Sequence, residues 1–421
     1  MKFVIIIPDG AADLPIPELD NQTPFEAARM PHLARLASVG RVGCVHTTPP
    51  GFEAGSDVCS MSLLGYDPRR YHTGRAPLEA AALGLELTSR DWIFRLNFVT
   101  TGVQDGLMLD HSAGAISDAE ARLLVRDLVE HWTKIEPQLA SGFALHPGVS
   151  YRNILIDSSG RSYRGVSTTP PHAIPGQPWA DHLPVGSDND AGVLNRLMQA
   201  SIPLLASHPV NLARVQAGKR PASMAWIWGQ GTKPEVPSFR SRFGIKGAMI
   251  TSVDLLAGIA SYIGWDRLDV PGLTSYHDTD YAGQGRATCA AIDRFDLVCS
   301  HIEAPDEMSH QGDWKSKVAS LEAIDEHVIG PVIARLLEYG DPEANASDAG
   351  WRVLILPDHF TLCATRKHDA TPVPFLMAGA WIRSMVERPM TEESSQESDL
   401  VITEGHELME YFLRSGRREV R

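Results

Sequence analysis

Cysteine is scarce in this chain, and long apolar runs are missing. The five cysteines (Cys44, Cys59, Cys289, Cys299 and Cys363) are scattered, with no CxxC pair. That spacing argues against a disulfide framework or a zinc ribbon and reads as reduced thiols in a cytoplasmic protein. The opening apolar run, Phe3 to Ile7, ends at Pro8-Asp9-Gly10 and is too short for a secretory signal. No stretch is long and apolar enough to span a bilayer, so no membrane partner is expected. Excess positive charge is lacking too. A formal net charge of −14 does not draw in nucleic acid. An anionic substrate must therefore find positive charge locally, from metal ions or a few Arg and Lys. There is no internal repeat, no low-complexity tract and no GxxxxGK[ST] phosphate loop.

What is present is ordinary for a soluble globular protein: 43% hydrophobic and 21% charged residues. A length of 421 residues implies two domains, or one large core with an insertion. Three segments share one grammar. Phe3 to Ile7 leads into Pro8-Asp9-Gly10, Leu297 to Ile302 leads into Glu303-Ala304-Pro305-Asp306, and Val353 to Leu356 leads into Pro357-Asp358-His359. Short apolar runs of this kind suit central strands of a parallel sheet. Sites in open α/β sheets form just beyond the carboxyl ends of such strands.

Helical patterns alternate with these strands. Lys315 to Tyr339 carries apolar residues at three- and four-residue steps, with Pro331 expected to kink or divide it. A second helix is predicted over Ser252 to Ile263, after a strand over Ala248 to Thr251. The middle of the chain differs. Ser117-Asp118-Ala119-Glu120 reads as a capping box, Val149 to Ile156 alternates like a half-exposed strand, and Thr168 to Pro184 is proline-rich. We expect an α/β core over 1–89 and 221–421 and a smaller α+β domain inserted at 90–220. Met390 to Ser398 reads as a polar surface loop.

Candidate chemistry lies at the strand ends. Asp306 and His310, four apart, share a helix face and can meet one metal ion. Asp358-His359, His368 and Asp9 follow strands or adjacent loops, and Ser56 in Gly55-Ser56-Asp57 stands where a helix starts. Each has a plain structural reading: a surface ion pair, a turn, a lone histidine, a turn aspartate and an N-cap serine. Ser60 and Ser62 are rival nucleophiles. Together, Asp and His ligands suit Mn, Zn, Fe or Co, and a pair of such ions can activate a serine hydroxyl for phosphoryl transfer.

The chain resembles the archaeal-type cofactor-independent phosphoglycerate mutases of the alkaline phosphatase superfamily. The resemblance rests on Pro-Asp-Gly at 8–10, Gly-Ser-Asp at 55–57, Ser-Leu-Leu-Gly-Tyr-Asp-Pro at 62–68 and Thr-Gly-Arg-Ala-Pro-Leu-Glu-Ala at 73–80. Ala-Pro-Asp-Glu-Met-Ser-His at 304–310, Pro-Asp-His at 357–359 and the His368 segment complete it. It implies an alkaline-phosphatase-like core sheet with helices on both faces. It also implies two divalent cations, commonly Mn²⁺ with Zn²⁺, Co²⁺ or Mg²⁺ as alternatives, and no 2,3-bisphosphoglycerate. Asp306, His310 and His368 would hold one ion. Asp9, Asp358, His359 and Ser56 would hold the other, with Ser56 transiently phosphorylated. The implied reaction interconverts 2-phosphoglycerate and 3-phosphoglycerate, with the inserted domain as lid. Two positions depart from the pattern, Ser309 before His310 and Phe360-Thr361-Leu362 after His359.

The Arg-x-Asp-Arg motif of the longer mutases is absent, so Arg75, Arg152 and Lys246 are taken as candidates for binding the substrate's anionic groups. His-Pro-Val-Asn at 208–211, Trp-Gly-Gln-Gly at 228–231 and Glu-Ala-Pro-Asp-Glu at 303–307 resemble a bacterial subgroup proposed to phosphorylate homoserine, which is the alternative activity. A plain phosphomonoesterase is a third reading, and a non-catalytic scaffold a fourth. The expected partner is a small phosphorylated substrate; a homo-oligomer is allowed.

Overall fold

The computed structural model describes residues 1–102, 106–187, 189–340, 350–384 and 386–415. The chain divides into two compact units, one of residues 1–72 with 236–421 and one of residues 73–235. Composition had placed the seams near 89/90 and 220/221. The helix Arg75–Ala82 goes with the smaller unit because its Ala76 and Ala80 pack on Ile93, Ile154 and Ile156 of that unit's sheet.

In chain order, β1 (Lys2–Pro8) and β2 (Arg41–Val45) belong to the larger unit. The smaller unit holds β3 (Trp92–Thr101), β4 (Met108–Asp110), β5 (Phe143–Pro147), β6 (Arg152–Asp157) and β7 (Met224–Thr232). The larger unit resumes with β8 (Gly247–Ile250), β9 (Asp266–Arg267), β10 (Leu297–Ile302) and β11 (Trp351–Ile355). It ends with β12 (Phe360–Leu362), β13 (Lys367–Asp369), β14 (Val373–Gly379) and β15 (Val401–Ile402).

The larger unit is built on an eight-stranded sheet in the order β15-β2-β14-β11-β1-β10-β8-β9. Every residue of β10, β11 and β14 is buried. Since successive side chains point to opposite faces, such strands must be covered on both sides, as expected for an α/β core. β1 runs parallel to β10 and to β11, and β10 parallel to β8. The register sets Ile7 beside His301 and Pro8 beside Ile302. Parallel pairing thus brings the residues that follow β1, β10 and β11 to one edge, and these are Asp9, Glu303 to Asp306, and Asp358-His359. The hairpin of β12 and β13 carries His368 between β11 and β14.

In the smaller unit, β3 pairs antiparallel with β4, β6 and β7, and β5 with β6. Phe94, Leu96 and Phe98 pack into a core with Leu124, Leu128 and Trp132 of the helix Asp118–Ile135 and Leu194 and Leu197 of the helix Ala191–Ser207. The capping box is present: Ser117 accepts from the Glu120 amide while Glu120 accepts from the Ser117 amide.

The long helix predicted over 315–339 is split into Trp314–Ile324, a π-helical turn Asp325–Ile329 and Gly330–Leu337. The break falls just before Pro331, which lacks the amide a continuous helix needs. The widened turn presents Asp325, whose carboxylate accepts from the amides of His32 and Leu33 at 3.0 and 2.8 Å and so caps the helix Pro31–Val39.

Met390 to Ser398 is not a surface loop. It contains the helix Glu392–Gln396, and Glu392 is buried. Glu392 accepts from the Asp13 amide at 3.1 Å and the Thr23 hydroxyl at 2.6 Å. Fully buried Lys317 bonds Asp13 Oδ2 at 3.0 Å and the carbonyls of Ala12 and Thr361 at 3.3 and 2.8 Å. This network ties the loop after Asp9 to the strand after His359. An acidic segment looks solvated in sequence; the partners that bury it here are hundreds of residues away.

Burial raises the Glu392 carboxyl to about 7. A raised carboxyl contributes stability that is complete below its unfolded value and is lost as pH rises through the folded one. The stability advantage of wild type over Glu392→Gln should therefore shrink between pH 4.5 and 7, by up to about 3 kcal/mol. Urea midpoints of both proteins at pH 5 and pH 8 check this; a constant difference contradicts it.

Candidate metal and phosphoryl-transfer site

Asp9, Asp306, Asp358 and His359 are buried at the carboxyl edge of the large sheet, and Ser56 is 8% exposed. The Pro8-Asp9-Gly10 turn is more than a chain reversal. Gly10 has φ +58°, and a Cβ there would strike the side chains of Asp306 and Thr361. Its amide donates to Asp358 Oδ1 at 3.2 Å, so the turn locks one carboxylate while presenting another.

The histidines carry the clearest signal. His310 Nδ1 donates to the Arg366 carbonyl at 3.0 Å, and His368 Nδ1 to the Ala54 carbonyl at 3.1 Å. Thr361 Oγ1–H is committed to Asp306 Oδ1 at 2.5 Å, so His359 Nδ1 must be the donor in its 3.1 Å contact with Thr361 Oγ1. With every Nδ1 proton accounted for, the rings turn their Nε2 atoms inward, and Nε2 is a bare lone pair in any ring that carries no second proton. His310 Nε2 and His368 Nε2 lie 2.9 Å apart, and Asp306 oxygens lie 3.1 and 3.5 Å from them. His359 Nε2 is 3.3 Å from Ser56 Oγ, 3.4 Å from Asp9 Oδ1 and 3.5 Å from Asp358 Oδ2. Acceptors facing acceptors repel one another unless a proton, as on His310 beside Asp306, or a metal cation lies between them. Asp9 Oδ1 has no hydrogen-bond partner although it is buried.

Protonation follows the same logic. Burial, then the charges of Asp358 and Asp306, holds the Asp9 carboxyl well above its ordinary value. Burial and Asp9 do the same to Glu303. Burial opposes ionisation of Asp306 as well, but hydrogen bonds from His310 and His368 bring it well below the usual range. The Asp306 bond in turn raises His310 to about 9. Burial keeps His359 neutral by lowering its pKa. The donor set fits divalent cations: Asp306, His359 and His368 offer atoms within 4.8 Å of one another, as do Asp9, Asp358 and His359.

Ser56 is the first residue of the helix Ser56–Leu63 and makes no capping bond; Gly55 occupies the cap. Its hydroxyl is thus available. Ser60 instead donates to Asp358 Oδ2 at 3.4 Å, and Ser62 is buried within the same helix. Asp57 pairs with His72 at 2.7 Å rather than joining the cluster.

Lys246 does not join the site. It precedes β8, at the amino ends of the parallel strands, and its ammonium lies 3.7 Å from Asp266 and over the ring of Phe295. Arg75 and Arg152 belong to the smaller unit. Asn97 and Arg152 are opposite one another across β3 and β6, and Arg95 shares their face. Arg95 is 9% exposed, 3.0 Å from Glu79, and stacked 4.3 Å over Trp228. Burial, then Arg95 and His111, pushes His172 beside it down to about 4. Arg95 was missed because it sits inside an apolar strand pattern, Ile-Phe-Arg-Leu, where an arginine is a signal in itself. His301, inside the run Leu297 to Ile302, was passed over for a similar reason; Glu303 was read at that strand's end without being taken as a donor.

The fold and the site together define an α/β protein with a buried cluster of carboxylates and imidazoles, suited to divalent cations, at one edge of its parallel strands. The family profile of 2,3-bisphosphoglycerate-independent phosphoglycerate mutase matches residues 37–211. A protein of that name from Methanothrix thermoacetophila is 44% identical over 413 residues, covering 98% of this chain and 100% of its own. The solved cofactor-independent phosphoglycerate mutase of Thermoplasma acidophilum superposes with a TM-score of 0.66 at 26% identity, covering 99% of this chain and 100% of that one. A Pyrococcus horikoshii protein superposes with a TM-score of 0.79 at 25% identity, covering 100% and 99%. The chain belongs to the 2,3-bisphosphoglycerate-independent phosphoglycerate mutase family.

Because His310 is raised to about 9, a proton occupies it at neutral pH in the metal-free chain. Mn²⁺ uptake at pH 7.5 should release at least about one proton per chain, that of His310 together with any held by the raised Asp9 carboxyl. Calorimetric titration in two buffers of different ionisation enthalpy reads this directly; a buffer-independent heat contradicts it.

Proposed function

We propose that the chain interconverts 2-phosphoglycerate and 3-phosphoglycerate through a phosphorylated Ser56. The observation that carries this reading is the convergence of three imidazole Nε2 atoms with the carboxylates of Asp9, Asp306 and Asp358, one of these nitrogens, His359 Nε2, lying 3.3 Å from the hydroxyl of a serine that no capping bond occupies. Asp306, His310 and His368 would hold one divalent ion, and Asp9, Asp358, His359 and Ser56 a second. Such ions lower the pKa of the serine hydroxyl and offset charge on the phosphoryl oxygens. The names of the relatives support the substrate.

In the first half-reaction a bond forms between Ser56 Oγ and phosphorus while the substrate's ester P–O bond breaks. The serine proton ends on the freed glycerate oxygen. The second half runs in reverse with the neighbouring glycerate oxygen as acceptor. Ser56 at the helix start also places free amides beside the phosphoryl group. Arg75, Arg95 and Arg152, on a chain of net charge −14, form the concentration of positive charge suited to the substrate's carboxylate.

Phosphorus NMR of 3-phosphoglycerate with protein and Mn²⁺ should show 2-phosphoglycerate growing to equilibrium with little free phosphate. Ser56→Ala should abolish this, whereas full activity in that variant, or free phosphate as the main product of wild type, contradicts the reading. Arg95→Met should raise KM about 10–100-fold with a smaller effect on kcat. An unchanged KM removes Arg95 from substrate binding.

A further inference from the structure

Asp9, His301 and Glu303 form a third cluster of donor atoms within 4.8 Å of one another, and it invites assignment as another cation site. The hydrogen bonds around His301 point elsewhere. His301 is the last residue but one of β10 and is buried. The Val253 amide donates to Thr251 Oγ1 at 3.0 Å. Thr251 Oγ1 in turn lies 3.0 Å from His301 Nδ1, the acceptor available for its proton. With Nδ1 accepting, the neutral ring carries its proton on Nε2, which donates to Asp9 Oδ2 at 2.8 Å. Its Nε2 has no lone pair to offer a metal. Glu303 stands off at 3.9 Å.

We propose that His301 is a positioning residue for Asp9, held in one tautomer by Thr251. It commits Oδ2 of Asp9 and so turns Oδ1 toward His359 and Asp358. Resting on the metal reading above, this assigns the third cluster to a relay of hydrogen bonds, Val253 to Thr251 to His301 to Asp9, rather than to a third ion. An outer partner of this kind orients a ligand and tunes its basicity.

The test is Mn²⁺ binding, measured as stoichiometry and affinity on metal-stripped full-length protein. Wild type should take up two ions. His301→Leu should weaken one of them about 10–100-fold and leave the other unchanged. His301→Gln offers an oxygen acceptor and an N–H donor in the same relation as the imidazole nitrogens, and should restore binding to within about tenfold of wild type. Thr251→Val, a milder change, should weaken the same ion in the same direction even if His301→Leu fails to fold. Wild-type affinities in His301→Leu or in Thr251→Val overturn the positioning role alone. So does a wild type with three ions whose His301 variants hold two, because His301 is then a ligand. A wild type that takes up no ion overturns the underlying reading and this role with it.

Discussion

Four carboxylates, from Asp9, Glu303, Asp306 and Asp358, are crowded into the edge of the large sheet, and among the described residues no lysine or arginine bonds to any of them. Burying like charges together costs far more than any single surface contact returns. A proton on His310 answers part of that charge, but the Nδ1 protons of His310, His368 and His359 are spent on Arg366, Ala54 and Thr361, so the Nε2 atom of neutral His359 adds a lone pair to the crowd. Everything near the site makes sense as a frame that keeps these acceptors from relaxing apart.

The frame is built from the sheet outward. Parallel pairing of β1 with β10 and β11 delivers the carboxylates to one edge. Gly10 lets the chain turn where no side chain fits. Behind the site, buried Lys317 clamps the loop after Asp9 to the strand after His359, and Glu392 holds that loop from its other side. These contacts stand one residue behind the site, since Thr361 also bonds Asp306 and His359, and they limit how far its donor atoms can shift.

Much of this was legible in sequence, for a physical reason. Apolar runs that end abruptly in Asp or His mark strand ends, and Phe3 to Ile7 and Val353 to Leu356 led directly to Asp9 and Asp358-His359. The i, i+4 step from Asp306 to His310 became one helix face. What stayed hidden depends on pairing between distant segments. Lys246 does precede a strand, as its sequence implies, but parallel pairing of β8 with β10 sets that end at the edge opposite Asp9 and Asp358, and sequence gives a strand and not the edge its neighbours share. The segment from Met390 to Ser398 looked solvated because its partners, Asp13 and Thr23, lie at the other end of the chain. His301 and Arg95, polar residues inside apolar runs, were signals passed over.

The central claim is that converging acceptors in the larger unit are a two-ion site. Crystals grown with Mn²⁺ and measured at the manganese absorption edge test it most directly. The account predicts two anomalous peaks, one among Asp306, His310 and His368 Nε2 and one among Asp9 Oδ1, Asp358, His359 Nε2 and Ser56 Oγ. A peak coordinated by His301, or no peak at this edge of the sheet, would contradict it.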